Sequence, residues 1–126
     1  MKKLQSILFI ALLFTTYITH AQEDQRVSHV VVAWLKEPGN AQMREQFINA
    51  SRALEQLPGV LSRHVSAAIP SERPKVDDTF DVAVTVTFKN AQALTNYMKS
   101  QKHKRMLKDQ LKPLVNRVVI YNFGNQ

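Results

Sequence analysis

The spacing of apolar residues changes along the chain in a fixed order: period two, helical, two, two, helical, two. Few folds accommodate that order. The clearest segment is Phe80, Val82, Val84, Val86 and Phe88, which alternate with Asp81, Ala83, Thr85 and Thr87. Alternation of this kind is a strand with one strongly apolar face. Val30 to Leu35 is apolar on both parities, the pattern of a strand covered on two sides. Val60 to Ile69 reads as a weaker strand, interrupted by Ser62, Arg63 and Ser66. Val115 to Phe123, centred on Val118-Val119-Ile120-Tyr121, is the last.

Two helical stretches separate these strands. After Pro38-Gly39, Asn40 is a suitable N-cap, and Met43, Phe47, Ala50, Leu54 and Leu57 make one helical stripe. Pro58-Gly59 ends it. Asn90 caps a second helix on which Ala91, Leu94, Tyr97 and Met98 share a side. A break near Ser100-Gln101 precedes a further helical stretch with His103, Met106, Leu107, Gln110 and Leu111. Pro70 to Asp78 reads as an exposed loop. The order β-α-β-β-α-β predicts an α+β, ferredoxin-like sandwich, with helices on one face of an antiparallel sheet. The other face then needs a cover. A chain this small, with no cysteine to staple it, is expected to bury that face against a second copy of itself as a homodimer.

The N-terminus follows a different plan. Met1-Lys2-Lys3 is positive, Ile7 to Phe14 is an unbroken apolar run, and Thr19-His20-Ala21 offers small residues at a cleavage position. Residues 1–21 are therefore expected to be a bacterial secretory signal peptide, which makes the product periplasmic or secreted. The competing reading, a transmembrane anchor, needs an apolar stretch of roughly 20 residues, and this one is shorter. Residues 22–27 read as a polar tail and 28–123 as the domain, with no membrane span left after cleavage. The formal charge of +7 loses Lys2 and Lys3 with the leader and becomes +5. Lys99 to Arg117 carries seven of the basic residues against Asp109 alone, so the remainder of the mature chain is nearly neutral.

His29 to Lys36 (HVVVAWLK), Leu57-Pro58-Gly59-Val60 and Phe80 to Phe88 resemble, in this order, the stress-responsive dimeric α/β-barrel (Dabb) domain. Tyr97 with Ser100-Gln101-Lys102-His103, then Leu114-Val115 leading into Val118 to Phe123, extend the resemblance over nearly the whole mature chain. It implies a ferredoxin-like subunit that pairs with a two-fold mate to form a dimeric α/β barrel. Most members have no assigned activity, and the characterised ones include a plant polyketide cyclase. In cyclase-like members, residues matching His29 and His103 are histidines with acid–base roles, accompanied by a tyrosine that matches Tyr97. The sequence departs from that pattern at Ser100 and Gln101, where the family often has His-Pro. It departs again at Val82, where a third histidine can stand.

The chemistry implied for His29, Tyr97 and His103 is coherent. An imidazole near neutral pKa moves a proton, and a phenol polarises a carbonyl. That makes the trio the candidate catalytic set for a lyase or cyclase acting on a carbonyl compound. The plainer alternatives stand beside it: ligand contact without chemistry, or a strand-end hydrogen bond for His29, a solvated turn for His103 and a core role for Tyr97. Trp34, Phe80 and Val82 are the candidate ligand-contacting residues, although Trp34 is better suited to a dimer interface. Asp81 is expected to be hydrogen-bonded or solvated, and His64 carries no motif.

No metal site is expected, because His29, His64 and His103 lack ligand spacing. No cofactor is expected either. The three glycines are isolated, so there is no phosphate loop, and nothing marks a haem site. The basic run from Lys99 to Lys112 has helical spacing without interleaved aromatic residues. It reads as a solvated face, and no nucleic-acid partner is expected. The expected partners are a second copy and a small apolar or aromatic molecule, and a structural dimer with no ligand is the remaining alternative.

Overall fold

The computed structural model describes residues 24–125. The leader at 1–21 lies outside the described residues, as do the first two positions of the polar tail. Asp24 to Arg26 are exposed, and the first strand begins at Val27.

The strands are β1 (Val27–Leu35), β2 (Val60–Ala67), β3 (Val82–Phe88) and β4 (Val115–Gly124). The helices are α1 (Ala41–Arg52), α2 (Ala91–Lys99) and α3 (Gln101–Met106). The strands form one sheet in the order β2-β3-β1-β4, antiparallel at every pairing. This is the ferredoxin-like α+β sandwich that the order of periodicities predicts. The second strand is shorter than expected: it ends at Ala67, and Ile69 beyond it is 83% exposed.

Local chemistry sets the helix ends. The Asn40 side chain accepts from the Met43 amide at 3.0 Å, and the Asn90 side chain accepts from the Ala93 amide at 2.9 Å. Each satisfies an amide that the first helical turn leaves unpaired. α1 buries Phe47, Ala50 and Ser51 against β2 and β3, and the turns after it bury Leu54 and Leu57. Gly59 then turns the chain at φ +86°, where a Cβ would meet the Ala93 Cβ at 2.8 Å. Any side chain there would be strained and would push α2 off the sheet.

The buried stripe of α2 is Ala93 and Tyr97; Leu94 is half-buried and Ala91 exposed, while Met98 is accessible at the edge of the cavity between sheet and helices. The side expected from spacing is thus rotated by part of a turn. α2 stops at Ser100, whose hydroxyl accepts from the His103 amide and starts α3 in a new direction. That break turns His103 inward, among buried residues. A wide π-type turn (Leu107–Leu111) and a tight turn containing Pro113 (Lys112–Leu114) carry the chain into β4.

The sheet has two unlike faces. Ala33, Leu35, Val82, Val84, Val86 and Phe88 point to the helices and form the core. The Val and Phe wall of β3 is therefore consumed within the subunit. The outer face carries Val30, Val32 and Trp34 from β1, with Val119, Tyr121 and Phe123 opposite or beside them on β4. Tyr121 and Phe123 are 56% and 61% exposed.

Asp81 is buried just ahead of β3. Its carboxylate accepts from the Leu35 amide at 2.9 Å and the Gly39 amide at 2.8 Å. It pins the exit of β1 to the approach of α1, which agrees with its expected hydrogen-bonding role.

Candidate functional site

Between the helix face of the sheet and α1, α2 and α3 lies a cavity of about 390 Å³. β4 is an edge strand without a helix over it, so Val118 and Ile120 remain 46% exposed at the cavity mouth. Aliphatic side chains make most of the wall. Its polar groups are His29, Ser51, Arg63, Tyr97, His103 and Lys112.

His29 is buried in the middle of the sheet and faces Asn122 across the β1–β4 ladder. Its Nδ1 lies 2.6 Å from the Asn122 Oδ1. With Asn122 presenting its oxygen, His29 donates from Nδ1, and Nε2 keeps its lone pair. Burial pushes the imidazole pKa below its ordinary value; the Asn122 bond opposes this, and the Arg63 charge reinforces it.

Tyr97 is the hub of the site. Its ring packs edge-on against Phe88 at 4.9 Å, is tilted against His103 at 4.4 Å and meets His29 at 6.3 Å between centroids. Its hydroxyl accepts from Arg63 Nη1 at 3.0 Å. Burial raises the phenol pKa, with Arg63 working against the shift. His103 is held low, at about 4, first by burial and then by the charges of His29 and Arg63; the Met98 carbonyl, an acceptor for a protonated ring, pulls the other way. At neutral pH the site therefore holds two uncharged imidazoles and an uncharged phenol beside the Arg63 guanidinium.

Arg63 reaches inward from β2. Nη2 donates to the Ser51 hydroxyl of α1 at 2.7 Å, so one guanidinium ties β2 to both α1 and α2. Its Nε and the His103 Nδ1 are buried without a hydrogen-bond partner.

Of the six residues singled out from sequence, His29, Tyr97 and His103 line this cavity together. Trp34, Phe80 and Val82 do not line it. Trp34 alternates with the inward Ala33 and Leu35, so it faces out, where its indole donates to the Thr79 hydroxyl at 3.0 Å. Phe80 meets it edge-on at 6.3 Å, and the Arg117 guanidinium lies 3.7 Å above its ring. Val82 is completely buried between strands and helices. A ligand in the cavity would not reach these three.

Sequence reading missed Arg63, Ser51, Asn122 and Lys112. The cause at Arg63 is a bulge. Simple alternation from Val60 would point Ser62, His64 and Ser66 inward, but the register with β3 slips between Val60 and Ser62. Beyond the slip Arg63, Val65 and Ala67 face the helices instead. Val65 at even spacing from Arg63 was the available signal. Among the described residues no group of three His, Cys, Asp or Glu side chains is placed to hold a metal.

An antiparallel ferredoxin-like sheet with an apolar cavity lined by imidazole and phenol groups defines a small α+β domain with one concave, largely apolar site. The model of the Stress responsive A/B Barrel Domain (Dabb) matches residues 27–125, and the chain belongs to that family. A Dabb family protein with a ferredoxin-like fold from Mesorhizobium loti is similar at TM-score 0.66 and 20% identity, covering 80% of this chain and 97% of its own. A dimeric protein of unknown function from Bacteroides fragilis is similar at 0.62 and 16%, covering 79% and 95%. A hydroxynitrile lyase from Passiflora edulis is similar at 0.68 and 19%, covering 79% and 93%. At these identities the likeness establishes the fold. No curated protein matches the chain by sequence.

Proposed function

We propose that this protein is an exported, homodimeric Dabb domain that binds a small apolar or aromatic molecule in the cavity between sheet and helices. The observation that carries the reading is the cavity itself: about 390 Å³, mostly aliphatic, with His29, Tyr97 and His103 converging on it. A concave, largely apolar site with a few converging polar groups is the common form of a small-molecule site. Mass spectrometry of small molecules released from protein purified from the periplasm tests it. The expected result is a bound compound that is lost in Ile120→Trp, which fills the mouth without touching the core. An empty wild-type protein that also binds no apolar probe would reject it.

The dimer reading is supported by the outer face, where Val30, Val32, Trp34, Val119, Tyr121 and Phe123 form a surface no helix covers. The Bacteroides fragilis neighbour is a dimer. Export is supported by the pattern of residues 1–21 and is tested by N-terminal sequencing of the mature protein, expected to start at Gln22.

A second reading, a lyase or cyclase, is favoured by the protonation states of the trio. A neutral imidazole of His29 or His103 takes the proton next to a carbonyl, while the Tyr97 hydroxyl donates to the oxygen on which negative charge develops. Arg63 reinforces that donor. Deuterium uptake from solvent into aryl ketones, followed by NMR, is expected to exceed the buffer rate and to vanish in His103→Asn. Uptake at the buffer rate would leave binding as the function.

A further inference from the structure

The cavity carries positive charge that nothing in its wall balances. Arg63 and Lys112 line it, and no Asp or Glu does. Arg63 makes no ion pair: among the described residues the recorded salt bridge is Arg26 with Asp24, at the exposed start of the chain. Both hydrogen bonds of the guanidinium go to neutral hydroxyls, Tyr97 and Ser51. Two buried side-chain nitrogens lack a partner, Arg63 Nε and His103 Nδ1, and both residues line this one cavity with Tyr97 between them.

Arg63 as a whole is half-buried, but its Nε is fully buried, and buried polar atoms are normally bonded. An arginine facing an apolar space without a carboxylate of its own is completed by a carboxylate from elsewhere, which it grips through two parallel N–H bonds. We propose that the ligand is an apolar monocarboxylic acid whose carboxylate rests on Arg63, within reach of the Tyr97 and Ser51 hydroxyls, and whose hydrocarbon body fills the aliphatic part of the cavity. Lys112 stands at the mouth, and Lys102, Lys104, Arg105 and Lys108 are exposed on the segment leading to it. This gives the basic run a role as an attractive rim for an acid entering the site. The proposal rests on the cavity being a ligand site and adds the charge of what it takes.

Matched acids and alcohols separate the two. Octanoate and octanol, and phenylbutanoate and phenylbutanol, are titrated into the full mature protein by calorimetry. Each acid is expected to bind at least about tenfold more tightly than its alcohol. Arg63→Met, which keeps length and apolar bulk, is expected to erase that ratio, so that acid and alcohol bind it within about threefold of one another. Arg63→Gln keeps a single amide donor group without the charge, and the same loss is expected, so the test survives if one variant fails to fold. Equal binding of acid and alcohol to the wild type would overturn the carboxylate assignment and leave the apolar site standing. A preference that survives in both variants would overturn Arg63 in favour of Lys112. Binding of neither series would overturn the acid and the cavity reading together.

Discussion

Arg63 Nη1 donates to the Tyr97 hydroxyl across 3.0 Å, joining the second strand to the second helix beneath the cavity. The bond holds the phenol between His29 and His103 and places a fixed charge next to three titratable groups, all of whose pKa values it influences. Packing alone would have placed the Tyr97 ring. The guanidinium occupies a lone pair of its oxygen and so decides where the hydroxyl proton can point.

Tyr97→Phe keeps the ring stack with Phe88 and His103 but leaves Nη1 unpaired in a partly buried place. A loss of about 1 to 2 kcal/mol is expected from the urea midpoint. Combined with Arg63→Met it should cost less than the two changes added, because the second removes the group the first strands. Strict additivity would mean the bond does not form.

Stability should fall with acid through the two histidines. In the unfolded chain an imidazole takes its proton near 6.5, whereas His103 in the fold does so only at about 4. Between those values the unfolded state binds more protons, so the contribution is fully present above about pH 6.5, declines as pH drops and levels off below about 4. It is on the order of 3 kcal/mol for His103 over the whole interval. His29 acts with the same sign, since burial lowers its pKa too. Urea melts at pH 7.5 and pH 4.5 check this, and His103→Asn should flatten the difference.

Asp81→Ala should be among the costliest single changes outside the core. It removes the acceptor of two backbone amides, Leu35 and Gly39, the first of them buried. The expected loss is about 2 to 4 kcal/mol. Asp81→Asn should cost less, since one carbonyl oxygen remains. A thermal melt unchanged in the alanine variant would contradict the pinning role.

Val119→Glu tests the outer face. Val119 stands beside Val32 on a surface that α1, α2 and α3 do not cover. A charge buried there between two copies is expected to cost about 3 to 5 kcal/mol of association. Sedimentation should find a dimer for the wild type and a monomer, still folded by circular dichroism, for the variant. A wild type that stays monomeric at every concentration would remove the barrel.

How much of this was legible in the sequence varies by element. β3 could be read at once, because alternation from Val82 to Phe88 needs only the chain itself. The helix starts at Asn40 and Asn90 were equally local. His29, Tyr97 and His103 came from the resemblance to a family, and the structure brings them to one cavity. Trp34 and Phe80, which the sequence suggests for the ligand, stand on the other side of the sheet. Trp34 lies on a strand apolar on both parities, and such a strand does not say which parity faces the helices.

The sequence by itself determined the order of elements, the ends of the helices and one apolar face per element, because periodicity and capping act within a few residues of chain. The tertiary structure decided the site. A one-residue slip near Leu61, defined only by pairing with β3, turned Arg63 inward rather than Ser62 and His64. The β1–β4 register set Asn122 against His29, and the break at Ser100 aimed His103 at Tyr97. Strand register and helix direction are contacts between distant segments. Each side chain's face, and with it the charge in the cavity, depends on partners that no local pattern contains.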